Sequence, residues 1–129
     1  MKKYDNFLKA LDNLKYIDDY KEPYNKVEIT GLVGLYEICF EQSWKAIKEI
    51  MEQSGYVNFN TGSPKQIIKC AYSAGLIKNE EIWLSALVDR NNVAHSYNED
   101  IALSIIRNTK EKYTEMFQDL KKEIETNWL

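Results

Sequence analysis

Between Lys3 and Tyr20 the apolar residues Phe7, Leu8, Leu11, Leu14, Tyr16 and Ile17 recur three and four positions apart, with lysine and aspartate between them. That is the spacing of one buried face on a first amphipathic helix. Lys21-Glu22-Pro23 interrupts it, because proline disfavours helix in the residue before it. The next pattern runs from Tyr24 to Gln53 and carries two apolar seams. Val27, Gly31, Gly34, Leu35, Ile38, Gln42 and Lys45 follow one track, and Leu32, Tyr36, Cys39, Trp44, Ile47, Ile50 and Met51 widen the surface beside it. Glycine in a helix interior costs roughly 1 kcal/mol relative to alanine. Gly31 and Gly34 therefore point either to a backbone passing close to that face or to a local kink.

A break is expected over 55–63, where Gly, Asn and Thr collect. Ser63-Pro64 then supplies a cap and a first-turn proline for a short third helix, Pro64 to Ala74, whose packing set is Ile67, Ile68, Cys70, Ala71 and Tyr72 and which Gly75 ends. Asn79 caps a fourth helix with Glu80 and Glu81 in its first turn. Its stripe is Ile82, Trp83, Ala86, Leu87, Arg90 and Ala94, and it ends near His95. Asn98 opens a fifth helix that continues to the C-terminus through Ile101, Ile105, Ile106, Thr109, Tyr113, Met116, Phe117, Leu120 and Ile124. The pattern predicts an all-α fold over residues 1–129: one domain, an up-and-down bundle of four main helices plus one short helix.

Composition adjusts this picture in three places. With 44% hydrophobic and 29% charged residues in 129, the chain is that of a globular domain able to bury its own core. A net charge of -3 argues against coating nucleic acid by bulk electrostatics, although a local basic pocket stays open. Cys39 and Cys70 lack CxxC spacing and fall inside helices, so they read as reduced thiols. With one histidine, no metal site and no cofactor is expected. The charged amphipathic start and the absence of a long apolar run lead us to expect a cytoplasmic protein with no membrane partner.

The chemistry concentrates in Asp89-Arg90-Asn91-Asn92-Val93-Ala94-His95-Ser96-Tyr97. An arginine forks onto phosphate oxygens, an imidazole moves a proton near neutrality, and a phenol donates, accepts or is itself modified. Five residues turn about 140° on a helix, so Arg90 and His95 converge only if the helix ends between them and the new cap. The plain structural alternative gives Arg90 a carboxylate partner, His95 a helix-end hydrogen bond and Tyr97 a neighbour to pack on. Glu41, Trp44 and Lys45 form a second candidate set. Their alternative is ordinary surface support with a buried indole, and the like-charged pair Glu37 and Glu41 is better tolerated if one of them meets a cation elsewhere.

Several further stretches follow in order: Gly31-Leu32-Val33-Gly34-Leu35-Tyr36, Phe40-Glu41-Gln42-Ser43-Trp44-Lys45, Ser63-Pro64-Lys65, Ala74-Gly75-Leu76-Ile77 and Trp83. Together with Arg90-Asn91 and His95-Ser96-Tyr97, the chain resembles the nucleotidyltransferase substrate-binding proteins. These are a branch of the higher eukaryotes and prokaryotes nucleotide-binding (HEPN) superfamily whose R-x4-H-x-Y element is present here as Arg90, His95 and Tyr97. The resemblance implies a helical homodimer and a minimal nucleotidyltransferase partner encoded nearby. It further implies nucleotide or RNA as ligand, met by Asn91, Tyr97, Glu41 and Lys45 as binding residues. Two activities go with the element: a noncatalytic subunit that presents substrate, or a metal-independent ribonuclease toxin. In the second, Arg90 and His95 are catalytic and the partner silences the toxin by transferring AMP to Tyr97.

Overall fold

The computed structural model describes residues 1–56 and 62–129. Within them the chain forms α1 (Lys2–Leu14), α2 (Lys26–Gln53), α3 (Pro64–Ala74), α4 (Glu80–Asn92), α5 (Glu99–Asn108) and α6 (Thr114–Asn127). These make the expected all-α bundle. The centre of the predicted connection over 55–63 lies outside the described residues. Among the described residues, no helix is long and apolar enough to cross a membrane.

Helix α2 is the spine. Asn25 caps it in a reciprocal capping box with Glu28, the Asn25 side chain accepting from the Glu28 amide and the Glu28 carboxylate accepting from the Asn25 amide. Its inward seam of Leu32, Tyr36, Cys39, Phe40, Ile47 and Ile50 is buried. Helix α1 lies along it, and α3, α4 and α5 close the other sides. The Glu49 carboxylate accepts from the amides of Lys3 and Tyr4, so α2 caps the start of α1 across 45 or more positions of sequence. Aromatic rings fill the centre: Phe117 packs edge-on to Trp83 at 5.7 Å and to Phe7 at 6.3 Å, and Tyr36 stacks on Tyr113 at 5.3 Å. A smaller core of Ile17, Leu32, Val33, Ala102 and Ile106 sits apart from it.

The caps of α3 and α4 form as the sequence predicts. Ser63 and Gln66 make a capping box, Gly75 ends α3 at φ 83°, and the Asn79 side chain accepts from the Ile82 amide. Four expectations are corrected. The first helix stops at Leu14 and tightens into a 3-10 turn, Lys15–Asp19, which turns Ile17 into the smaller core and leaves Tyr16 half exposed. The last helix is not uniform: a π turn, Thr109–Tyr113, separates α5 from α6. Tyr72 points outward rather than packing. Finally, α2 runs unbroken through Gly31 and Gly34, and a Cβ at either would meet nothing within 4 Å. Among the described residues, no backbone therefore crosses there, and the outward seam, with Val27 82% and Ile38 56% exposed, faces away from the core.

Candidate functional site

Helix α4 carries two kinds of group at its C-terminal end. The inner kind is built into the bundle. The Tyr113 hydroxyl donates to Asp89 Oδ2 at 2.6 Å, and Asn108 Nδ2 donates to the same oxygen at 3.0 Å. Because the Tyr113 proton is committed to Asp89, the Ser85 hydroxyl 2.9 Å away is the donor to Tyr113. Burial pushes the Tyr113 hydroxyl well above the usual phenol range, and the hydrogen bond to Asp89 adds to it. Burial does the same to Tyr36, whose hydroxyl donates to the Ala86 carbonyl. Both phenols stay protonated and act as fixed donors.

The π turn contributes to this arrangement. It widens the helix by one residue over Thr109–Tyr113, and Thr109 O accepts from both the Thr114 amide and, at 2.9 Å, the Thr114 hydroxyl. Thr109 itself is buried, its hydroxyl donating to Ile105 O at 2.7 Å. The result places Asn108 and Tyr113 together on Asp89.

Arg90, the next residue, is anchored from α2. Its Nε donates to Glu41 Oε1 at 2.5 Å, and its Nη1 donates to Asn91 Oδ1 at 3.1 Å. The other Glu41 oxygen accepts from Trp44 Nε1 at 3.1 Å. One carboxylate thus joins the arginine to the indole, with both members of the ion pair about three-quarters buried. Arg90 thus has the carboxylate partner that the plain structural alternative gave it, and of the like-charged pair Glu37 and Glu41 it is Glu41 that meets a cation. Lys45 joins this group only through the indole, its ammonium 6.0 Å from the Trp44 ring centre. Arg90 Nη2 has no partner among the described residues.

The outer kind follows directly. Past Asn92 the chain makes a 3-10 turn, Val93–His95, and the Asn98 side chain then caps α5 through the amides of Asp100 and Ile101. The helix therefore ends where the sequence places its end. His95 is exposed and Tyr97 is 87% exposed, their rings edge-on at 6.3 Å. No hydrogen bond joins His95 to Arg90 among the described residues. Arg90, Glu41, Trp44 and Asn91 are brought together, and His95 with Tyr97 forms a separate pair beyond the end of α4.

Chemically this is a held guanidinium with one free edge, followed within seven residues by a solvated imidazole and phenol. A guanidinium edge of this kind has the donors that a phosphate takes, and the imidazole and phenol are a proton carrier and a hydroxyl in a separate exposed pair. The groups that sequence reasoning passed over are Asp89, Ser85, Asn108 and Tyr113. The signal for the first two was present, as Ser85 and Asp89 sit one turn apart within an apolar helix face.

Comparison with known proteins identifies the fold and the family. Two solved structures share the fold. One, from Thermus thermophilus, has a TM-score of 0.80 at 28% identity, covering 92% of this chain and 98% of its own. The other is HI0074 from Haemophilus influenzae, described as revealing the fold of a substrate binding domain of a nucleotidyltransferase. It has a TM-score of 0.77 at 17% identity, covering 93% of this chain and 97% of its own. No curated protein matches in sequence. The family model described as nucleotidyltransferase substrate binding protein like matches residues 2–126, nearly the whole chain, and the protein belongs to that family.

Proposed function

We propose that this protein is the substrate-binding subunit of a two-protein system, in which it presents the Arg90 to Tyr97 end of α4 to a separate minimal nucleotidyltransferase. The observation that carries the reading is the anchored Arg90. Its guanidinium is oriented by Glu41 and Asn91 and keeps an edge free, which suits a nucleotide phosphate better than a purely structural ion pair would. Fluorescence titration with a labelled ATP analogue, with and without the companion transferase, tests it. Binding that Arg90→Ala abolishes is the expected result, and equal binding by wild type and Arg90→Ala would refute it.

A homodimer fits the same reading. The outward seam of α2 exposes Val27 and Ile38 beside two glycines that leave room for another backbone, and it continues toward Glu41 and Lys45. Light scattering that gives only monomer mass at tens of micromolar, or a dimer untouched by Ile38→Glu, would remove this part of the proposal.

The exposure of Tyr97 favours a second reading, a metal-independent ribonuclease toxin that is silenced when the partner transferase adds AMP to that hydroxyl. Arg90 would then neutralise charge on the scissile phosphate, with His95 as acid or base. AMP on Tyr97 would bring a phosphate beside Arg90 and occupy it. Under this reading, expression without the partner inhibits growth and cleaves RNA, and His95→Ala abolishes both while leaving the fold intact. Wild type that cleaves no RNA when expressed alone excludes it.

A further inference from the structure

The three tryptophans of the chain are held in different ways. Trp83 is 2% exposed and packs edge-on to Phe117, and Trp128 donates to Glu123 and lies against Tyr56. Trp44 is partly exposed. Its side chain packs on the main core, and no other aromatic ring meets it among the described residues. What lies over its ring is the Lys45 ammonium, 6.0 Å from the ring centre, and Lys45 makes no ion pair among the described residues.

The indole is also fixed in direction. Its Nε1 donates to Glu41 Oε2 at 3.1 Å, and Oε1 of the same carboxylate accepts from Arg90 Nε at 2.5 Å. Through that one carboxylate, the indole nitrogen and Arg90 Nε lie within about 8 Å of each other. A single acceptor satisfies an indole N–H. Here that acceptor is the arginine's own partner, so the flat ring and the guanidinium keep a set spacing. An aromatic ring, a flexible lysine over it and a guanidinium with an open edge are thereby brought within reach of one small molecule.

We propose that Trp44 is the platform on which the base of a bound nucleotide lies, with the nucleotide's phosphate on Arg90 and Lys45. This rests on the phosphate reading of Arg90 given above and adds what holds the other end of the ligand. A nucleobase stacks on the indole in place of the ammonium, because a flat π surface covers more of the ring than one cation does. The displaced Lys45, on its flexible four-carbon stem, turns to the phosphate. Stacking reads no hydrogen-bond pattern. The site therefore takes a nucleotide of any base, purine more tightly than pyrimidine because its ring system is larger, and inorganic polyphosphate least tightly.

Calorimetric titration of the full chain with ATP, CTP and inorganic tripolyphosphate tests it, in wild type, Trp44→Leu and Arg90→Ala. Wild type should bind ATP about tenfold or more tighter than tripolyphosphate, with CTP between them. Trp44→Leu should bind ATP only as tightly as tripolyphosphate, whose own affinity stays at the wild-type value. An ATP preference that survives in Trp44→Leu overturns the inference. So does equal weakening of both ligands, which would make Trp44 a support for Arg90 alone. Failure of the phosphate reading looks different, since Arg90→Ala would then bind both ligands as wild type does. Trp44→Phe, which keeps a ring, supplies a readout that does not depend on the leucine variant folding. ATP but not tripolyphosphate should quench the tryptophan emission of wild type, and the quench should vanish in Trp44→Phe while most of the ATP preference remains. A quench that persists in Trp44→Phe, or none in wild type, contradicts the proposal.

Discussion

Asp89 and Arg90 differ from His95 and Tyr97 in how completely the fold determines them, although only a few residues separate the two pairs. Asp89 accepts from two side chains of the α5–α6 region, and Arg90 is tied to Glu41 on α2. His95 and Tyr97 sit past the helix end, exposed, with no side-chain hydrogen bond among the described residues. Fixing an element needs several converging partners, whereas an exposed side chain without them stays free to turn. The first pair sets where the end of α4 lies and holds one guanidinium edge outward, and the second pair is left free to turn beyond it.

The contrast is broken most severely at Asp89. Asp89→Ala leaves the Tyr113 hydroxyl and the Asn108 amide without their acceptor, and should lower unfolding free energy by about 2–3 kcal/mol. Urea denaturation should show this as a lower midpoint at an unchanged slope. A midpoint equal to wild type would mean that water replaces the carboxylate and that Asp89 does not fix α4.

Glu41→Gln keeps an acceptor for Arg90 but removes the opposite charge. The expected loss is about 1 kcal/mol, with weaker nucleotide binding because the guanidinium is less firmly oriented. Weaker nucleotide binding with unchanged stability would place Glu41 on the ligand rather than on the arginine.

His95→Ala and Tyr97→Ala should each shift stability by no more than about 0.5 kcal/mol, since neither side chain is buried or bonded. A thermal scan that shows either one to be strongly destabilised would erase the distinction between the two pairs. The smallest effect concerns the thiols. Burial pushes the Cys39 thiol up, so a thiol reagent should label half-buried Cys70 in the native protein and Cys39 only after unfolding. Rapid native labelling of Cys39 would show that the α2 core opens more readily than its packing suggests.

Much of this was legible in the sequence because caps and periodicity are local. Ser63, Gly75, Asn79 and Asn98 each punctuate a helix where their chemistry predicts. The π turn was hidden because Thr109 and Tyr113 are four apart, a spacing that an ordinary helix accommodates equally well. Tyr16 and Ile17 read as one helical face, but the 3-10 turn divides them between solvent and core. The Arg90–Glu41 pair joins residues 49 positions apart, and nothing in either local pattern specifies it. The partners of Asp89 escaped notice for the same reason, lying 19 and 24 positions further on.

If the anchored Arg90 is what meets nucleotide, the contact must fall at the end of α4, from Asp89 to Asn98. Amide hydrogen exchange of the full chain with and without ATP and magnesium, in wild type and Arg90→Ala, tests this most directly. The expected result is slowed exchange confined to that end of α4 and the facing turn around Glu41 in wild type, and no such slowing in Arg90→Ala. Protection that falls elsewhere in the bundle, or that survives in Arg90→Ala, would contradict it.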